Sequence, residues 1–208
     1  MKQVIYLIRH SGPFIEIENY NDYENVKWND YNKNMILSVL GEKKAEELTK
    51  IEELKNITDI YSSNSFRAIS TAKYLSEAND SKIKLDDRIN EREFGIDYLN
   101  QLPDDFTKKS FSDKTYKVFN GESLEEMDYR FNNFIEELLQ KNINKSIITI
   151  HGIMLLSFLQ NNCDFSFDGK TTIVKFNGKT IVDGKPKSPG VYKITYEDKK
   201  IADIDIIN

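Results

Sequence analysis

The sequence predicts an α/β fold: a three-layer sandwich whose mostly parallel central sheet is flanked by helices and closed by antiparallel edge strands from the C-terminal part. Three observations carry that expectation. Short apolar runs, VIYLI near the start and IITI before residue 151, lack polar alternation, as expected of strands covered on both faces. Segments with apolar residues at helical spacing lie between them. The last forty or so residues are rich in strand formers broken by short turn signals.

Taken in order, Val4 to Ile8 form the first buried strand. Residues 14–36 are rich in Asn, Asp, Glu and aromatics with no sustained period, and Phe14 to Lys33 read as a loop or short helical turns covering whatever follows that strand. Gly41 opens a helix to about Lys55, with Ala45, Leu48, Ile51 and Leu54 on one stripe. ITDIYSS is a second strand, ending near Tyr61. Ser62, Ser63, Asn64 and Ser65 offer caps for a helix whose inward stripe is Phe66, Ile69, Ala72 and Leu75. Lys82 to Leu85 suggest a third strand, before the charged DDRINEREFG segment. Residues 97–119 read as a second irregular excursion. Ser123 and Glu126 form a capping-box pattern opening a long helix with Leu124, Met127, Phe131, Ile135 and Leu138 inward. Lys145 to Ile150 give another buried strand, and GIMLLSFLQ a buried helix. FNGKT signals a hairpin through Asn177-Gly178, and VYKITY and IADIDII are strands around the EDKK turn. No repeat or linker interrupts the 208 residues, so a single domain over 1–208 is expected.

Composition excludes several classes. The net charge is −5, and the lysines are interleaved with acids, so nucleic acid is a poor partner. No apolar stretch approaches the length of a membrane span, and the apolar run in MKQVIYLIRH is short for a signal peptide. The single cysteine, Cys163, rules out an intrachain disulfide and suits a reducing compartment, so a cytoplasmic location is expected. No interface pattern indicates an oligomeric state.

The chemistry is concentrated in few residues. The two histidines, His10 and His151, each close a buried strand, the place where α/β sheets open their ligand crevice. Only five of the 29 basic residues are arginine; Arg9 adjoins the first histidine and Arg67 falls in the first turn of the helix after the second strand. A guanidinium fork, an imidazole and free helix-start amides suit an oxyanion with several acceptor oxygens. A neutral imidazole is a competent nucleophile toward phosphorus, and positive side chains can balance the transferring charge without a metal. The acid for the leaving oxygen is sought among Glu91, Glu93 and Glu122.

LIRHS, YSSNSFRAISTA, INEREFG, GESLEEMDYR and ITIHG, in that order, resemble the five landmarks of the histidine phosphatase superfamily, also called phosphoglycerate mutase-like, in its small phosphatase branch. The resemblance spans residues 4 to about 160. It implies a metal-independent phosphomonoesterase without cofactor, in which His10 attacks phosphorus and becomes a phosphohistidine. Arg9, Arg67 and His151 would hold the phosphoryl oxygens. Glu91 would protonate the leaving oxygen and then activate water, with Glu93 the alternative acid. Glu122 would lie near the phosphate pocket as an orienting acid. The implied partners are a small phosphorylated substrate and inorganic phosphate as product. The sequence departs from the pattern in three places. Ser11 replaces the usual glycine, so that its hydroxyl could donate to phosphate and the close backbone approach falls to Gly12 or is made despite the side chain. Ile96-Asp97-Tyr98 replace a Trp-containing continuation, and Ile150 a small hydroxyl residue. A mutase-like phosphoryl transferase and a non-catalytic phosphoester-binding protein are the alternatives, and specificity is expected from the two excursions.

Overall fold

The computed structural model describes residues 1–14 and 27–208; the expectation for residues 15–26 of the first excursion lies outside them. The central sheet has six strands in the order β3-β2-β4-β1-β8-β9. These are β1 (Lys2–Arg9), β2 (Ile60–Ser62), β3 (Ile83–Leu85), β4 (Lys145–Ile150), β8 (Gly190–Glu197) and β9 (Lys200–Ile206). The pairs β1–β4, β2–β4 and β2–β3 are parallel, while β8 and β9 add antiparallel strands at one edge, as the sequence predicts.

Register explains the site. Arg9 pairs with Ile150 and Ser62 with Thr149, so β1, β4 and β2 end at the same level. His10, His151 and Ser63 therefore leave neighbouring strand ends together. Such a carboxyl edge is where parallel sheets place their ligands.

Alternation along β1 feeds two layers. Ile5 and Leu7 join a core with α5 (Leu124–Gln140) and α6 (Gly152–Asn162), whereas Val4, Tyr6 and Ile8 pack with residues of α3 (Phe66–Ala78) and of the segment that follows α2 (Val39–Glu47). The capping box forms: Ser123 Oγ accepts from Glu126 N and the Glu126 carboxylate accepts from Ser123 N. All five residues of the expected α5 stripe are buried.

Four local expectations need correction. The helix expected from Gly41 to Lys55 begins at Val39, capped by Ser38, and gives way after Glu47 to two 3₁₀ turns, Leu48–Lys50 and Glu52–Leu54. Helix α3 buries Arg67, Ala68, Thr71, Ala72 and Leu75, while Phe66 is exposed; the inward face is rotated because its first turn serves the strand ends. The second excursion, read as irregular, contains α4 (Phe106–Ser112), whereas α1 (Trp28–Asn34) in the first is one of the short helical turns expected there. Finally, the Asn177-Gly178 hairpin belongs to a separate antiparallel sheet of β5 (Asp164–Phe167), β6 (Thr172–Phe176) and β7 (Lys179–Gly184). Asn177 and Gly178 have φ of 49° and 79°, the paired positive angles of a tight hairpin turn.

The two excursions meet. Trp28 stacks on Phe94 with ring centroids 5.7 Å apart, and Trp28 N donates to Asp97 O at 2.7 Å. Arg92, 2% exposed, ties the second excursion down by donating to Ser110 Oγ and Tyr116 O while its guanidinium lies over Phe106.

Candidate active site

His10, Arg67 and His151 form one hydrogen-bonded cluster. The His10 and His151 ring centroids are 5.2 Å apart. Arg67 Nε donates to His10 Nε2 at 3.1 Å, and Arg67 Nη2 donates to His151 Nδ1 at 3.0 Å. Because a guanidinium only donates, both imidazole nitrogens are acceptors, which assigns both tautomers. His10 then carries its proton on Nδ1 and donates it to Ser11 O at 2.8 Å, and His151 donates from Nε2 to Ser63 Oγ at 2.7 Å. The lone pair of His10 Nε2 faces the arginine.

Electrostatics keep both rings neutral. Burial, then the nearby Arg67 charge, lowers the His10 pKa to about 3. The same two causes push His151 well below its ordinary value. Burial also lowers Arg9 and Arg67, and the Glu91 carboxylate pulls each back up, which puts Glu91 within electrostatic reach of both guanidiniums.

Arg9 lies at the end of β1 and donates from Nη1 to Pro186 O. Its buried Nε has no hydrogen-bond partner among the described residues, and a side chain at Gly152 would begin 3.3 Å from it. The first turn of α6 fixes Glu91: its carboxylate accepts from Ile153 N at 3.2 Å and Met154 N at 3.3 Å. A helix start directly after His151 thus fixes Glu91 within electrostatic reach of Arg9 and Arg67.

Ser11 and Glu122 sit differently from expectation. Ser11 is fully buried, its hydroxyl donates to Gly41 O at 2.7 Å, and its N donates to Thr71 Oγ1, so its hydroxyl proton is engaged by the backbone of α2. The backbones of Gly12 and Gly41 also approach closely: a Cβ on Gly41 would lie 2.0 Å from Gly12 O. Glu122 grips Arg130 in a two-pronged ion pair at 2.6 and 2.8 Å, and Arg130 in turn donates to Arg88 O and Glu91 O. Glu122 therefore acts on the segment that carries Glu91 rather than on the imidazole cluster. The Glu93 side chain is exposed and, with Glu91, lines two adjoining clefts.

Sequence reasoning missed Asn32, Ser63, Thr71 and Arg130. Asn32 Oδ1 accepts from Arg67 Nη2 at 2.9 Å and Asn32 O accepts from Arg67 Nη1, so α1 rests on the cluster. No local pattern announces that contact. Ser63 was visible only as a cap candidate, and Arg130 as the end of GESLEEMDYR.

Two adjoining clefts of 230 and 600 Å³ share Asn64, Asn90, Glu91 and Glu93, and Asn32 borders the smaller. A larger groove of 780 Å³ beside Cys163 contains none of these residues. Among the described residues no group of three or more His, Cys, Asp or Glu could hold a metal ion, and no helix is long and apolar enough to cross a membrane.

Comparison with known proteins bears on the fold and the family. A search of curated protein sequences finds no match. The fold resembles a mycobacterial glucosyl-3-phosphoglycerate phosphatase solved with VO3, at TM-score 0.69 and 17% identity, covering 99% of this chain and 98% of that one. The inorganic phosphate complex of the mycobacterial phosphatase matches at TM-score 0.69 and 15% identity, over 99% and 96%. A phosphoglycerate mutase from Bacillus anthracis matches at TM-score 0.65 and 17% identity, over 99% and 92%. The family profile of the histidine phosphatase superfamily, branch 1, matches residues 5–178, and the chain belongs to that superfamily.

Proposed function

We propose that this protein is a metal-independent phosphomonoesterase that hydrolyses a small phosphorylated metabolite through a covalent phosphohistidine on His10. The observation that carries the reading is the state of His10: neutral, buried, its Nδ1 proton held by Ser11 O and its Nε2 lone pair beside Arg67. That is the form a nucleophilic imidazole needs. That a mycobacterial phosphatase of similar fold was solved in complex with VO3 and with inorganic phosphate supports an oxyanion ligand.

In the proposed reaction, Nε2 of His10 bonds to phosphorus as the bond from phosphorus to the leaving oxygen breaks. Arg9 Nε, the Arg67 guanidinium and His151 stabilise the equatorial oxygens. Arg67 passes from His10 and Asn32 to the phosphoryl group as substrate enters. Glu91, with Glu93 as the alternative, gives a proton to the leaving alcohol. The resulting carboxylate takes a proton from water as that water attacks phosphorus, the P–N bond breaks, and His10 returns to its neutral tautomer with inorganic phosphate as product. The single cysteine and the absence of a membrane-spanning helix among the described residues favour action in the cytoplasm.

The test is turnover of a phosphomonoester panel in chelator, comparing wild type with Glu91→Gln. Wild type is expected to turn over without metal. The variant is expected to lose at least about a hundredfold on alkyl phosphates and far less on aryl phosphates with good leaving groups. Equal losses on both classes would remove Glu91 from the acid role, and strict dependence on added metal would overturn the mechanism.

A further inference from the structure

We propose that the cleft selects a phosphomonoester whose alcohol carries no second anionic group, with Glu93 as the residue that enforces this choice. The inference rests on the phosphatase reading and narrows its substrate class. Glu91 and Glu93 line both clefts, and Asn32, which accepts from Arg67, borders the smaller one, so a leaving group extending outward from Glu91 passes the Glu93 carboxylate. Asp87 lines the larger cleft and is held by Asn64 Nδ2 and Asn90 Nδ2, neutral amide donors.

The cations along these walls are engaged elsewhere. Arg130 is gripped by Glu122, and Lys117 pairs with Glu126 at 2.6 Å. The donors of buried Arg92 are aimed at Glu122 O, Ser110 Oγ and Tyr116 O. Among the described cationic residues that line the clefts, the exposed Lys33 is the one whose donors are not engaged by these contacts. Residues 15–26, IEIENYNDYENV, contain no lysine or arginine and so bring no cation to any part of the fold. A carboxylate or second phosphate on the alcohol would meet like charge with no guanidinium to receive it. A neutral alcohol with hydroxyl groups would instead find carboxylate and amide oxygens as acceptors and amide N–H groups as donors.

The experiment compares glycerol 3-phosphate with 3-phosphoglycerate, which share a three-carbon skeleton and differ in a CH₂OH against a carboxylate. For wild type, kcat/KM should favour glycerol 3-phosphate by about tenfold or more at low ionic strength, and the ratio should shrink in 0.5 M salt as screening grows. Glu93→Gln should lower the ratio several-fold, whatever its effect on either ester alone. A ratio near one, or one favouring 3-phosphoglycerate, would overturn the charge selection while leaving the phosphatase reading intact. A wild-type preference unchanged in Glu93→Gln would overturn the assignment to Glu93. Failure to turn over either ester or p-nitrophenyl phosphate, with no phosphohistidine formed, would instead defeat the phosphatase reading, and this inference with it. The salt dependence of wild type gives a readout that does not depend on the variant folding.

Discussion

Replacing Arg67 by Met should abolish most activity while barely moving stability. The side chain is 4% exposed, and its hydrogen-bond partners, His10, His151 and both oxygens of Asn32, are all neutral. Losing bonds from a charged donor to neutral acceptors costs from roughly 1.5 kcal/mol each, about 6 kcal/mol together. Removing a buried guanidinium releases a desolvation penalty of several kcal/mol, which offsets that loss. The net change should fall within about 2 kcal/mol, or a shift of no more than about 8 °C in Tm for a chain of this size. Activity follows different arithmetic. Two charge-assisted bonds to phosphoryl oxygens at roughly 1.5–3 kcal/mol each amount to about 3–6 kcal/mol. At about 1.4 kcal/mol per tenfold, kcat/KM should fall by roughly 10² to 10⁴. The assays are steady-state kinetics, phosphate binding by calorimetry, and thermal unfolding of the same preparation. A variant within tenfold of wild-type kcat/KM, or one that loses its fold, would refute the view that Arg67 is kept for the anion.

Stability should fall with acid in a way that reports the imidazoles. His10 titrates near 6.5 when unfolded and about 3 when folded, so between those values the unfolded chain binds a proton that the folded chain does not. This contribution is complete above pH 6.5 and is lost as pH falls, by up to about 1.4 kcal/mol per unit for each buried histidine. Urea unfolding between pH 7.5 and 5 should show that slope, and His10→Asn should reduce it; an unchanged slope would contradict the buried neutral state. Gly41→Ala should destabilise by about 2 kcal/mol or more, since the new methyl would lie 2.0 Å from Gly12 O with Ser38 Oγ also close. Thermal melts check it, and an unchanged Tm would show that the two loops do not need their close approach.

Where local chemistry and tertiary packing ask for the same thing, the sequence was readable. The α5 stripe and its capping box are one case, and the β4 boundaries, predicted and observed at Lys145–Ile150, are another. The strand-end positions of His10 and His151 were equally plain, because an apolar run ending in a rare polar residue has few other meanings. Helix α3 shows the opposite case. Its inward face includes Arg67 and Thr71, which a hydrophobic stripe assigns to solvent, so the reading turned the helix toward Phe66 and Ile69. Helix α4 is too short for its period to stand out, although Phe111 packs against Phe165 and Phe167 of β5. Asn32 reaches Arg67 across 35 positions, and nothing near either residue encodes the pairing. Ser11 illustrates a subtler limit: the sequence marks the missing glycine, but only the fold reveals that the Ser11 hydroxyl donates to Gly41 O on another element.

Covalent catalysis on His10 is tested by mixing the protein with a labelled phosphomonoester in chelator, quenching at neutral to alkaline pH within the first turnover, and mapping the labelled residue. Wild type should carry an acid-labile phosphoryl group on His10, and His10→Ala should show neither label nor turnover. Turnover with no label, or a label that persists in His10→Ala, would contradict covalent catalysis on His10.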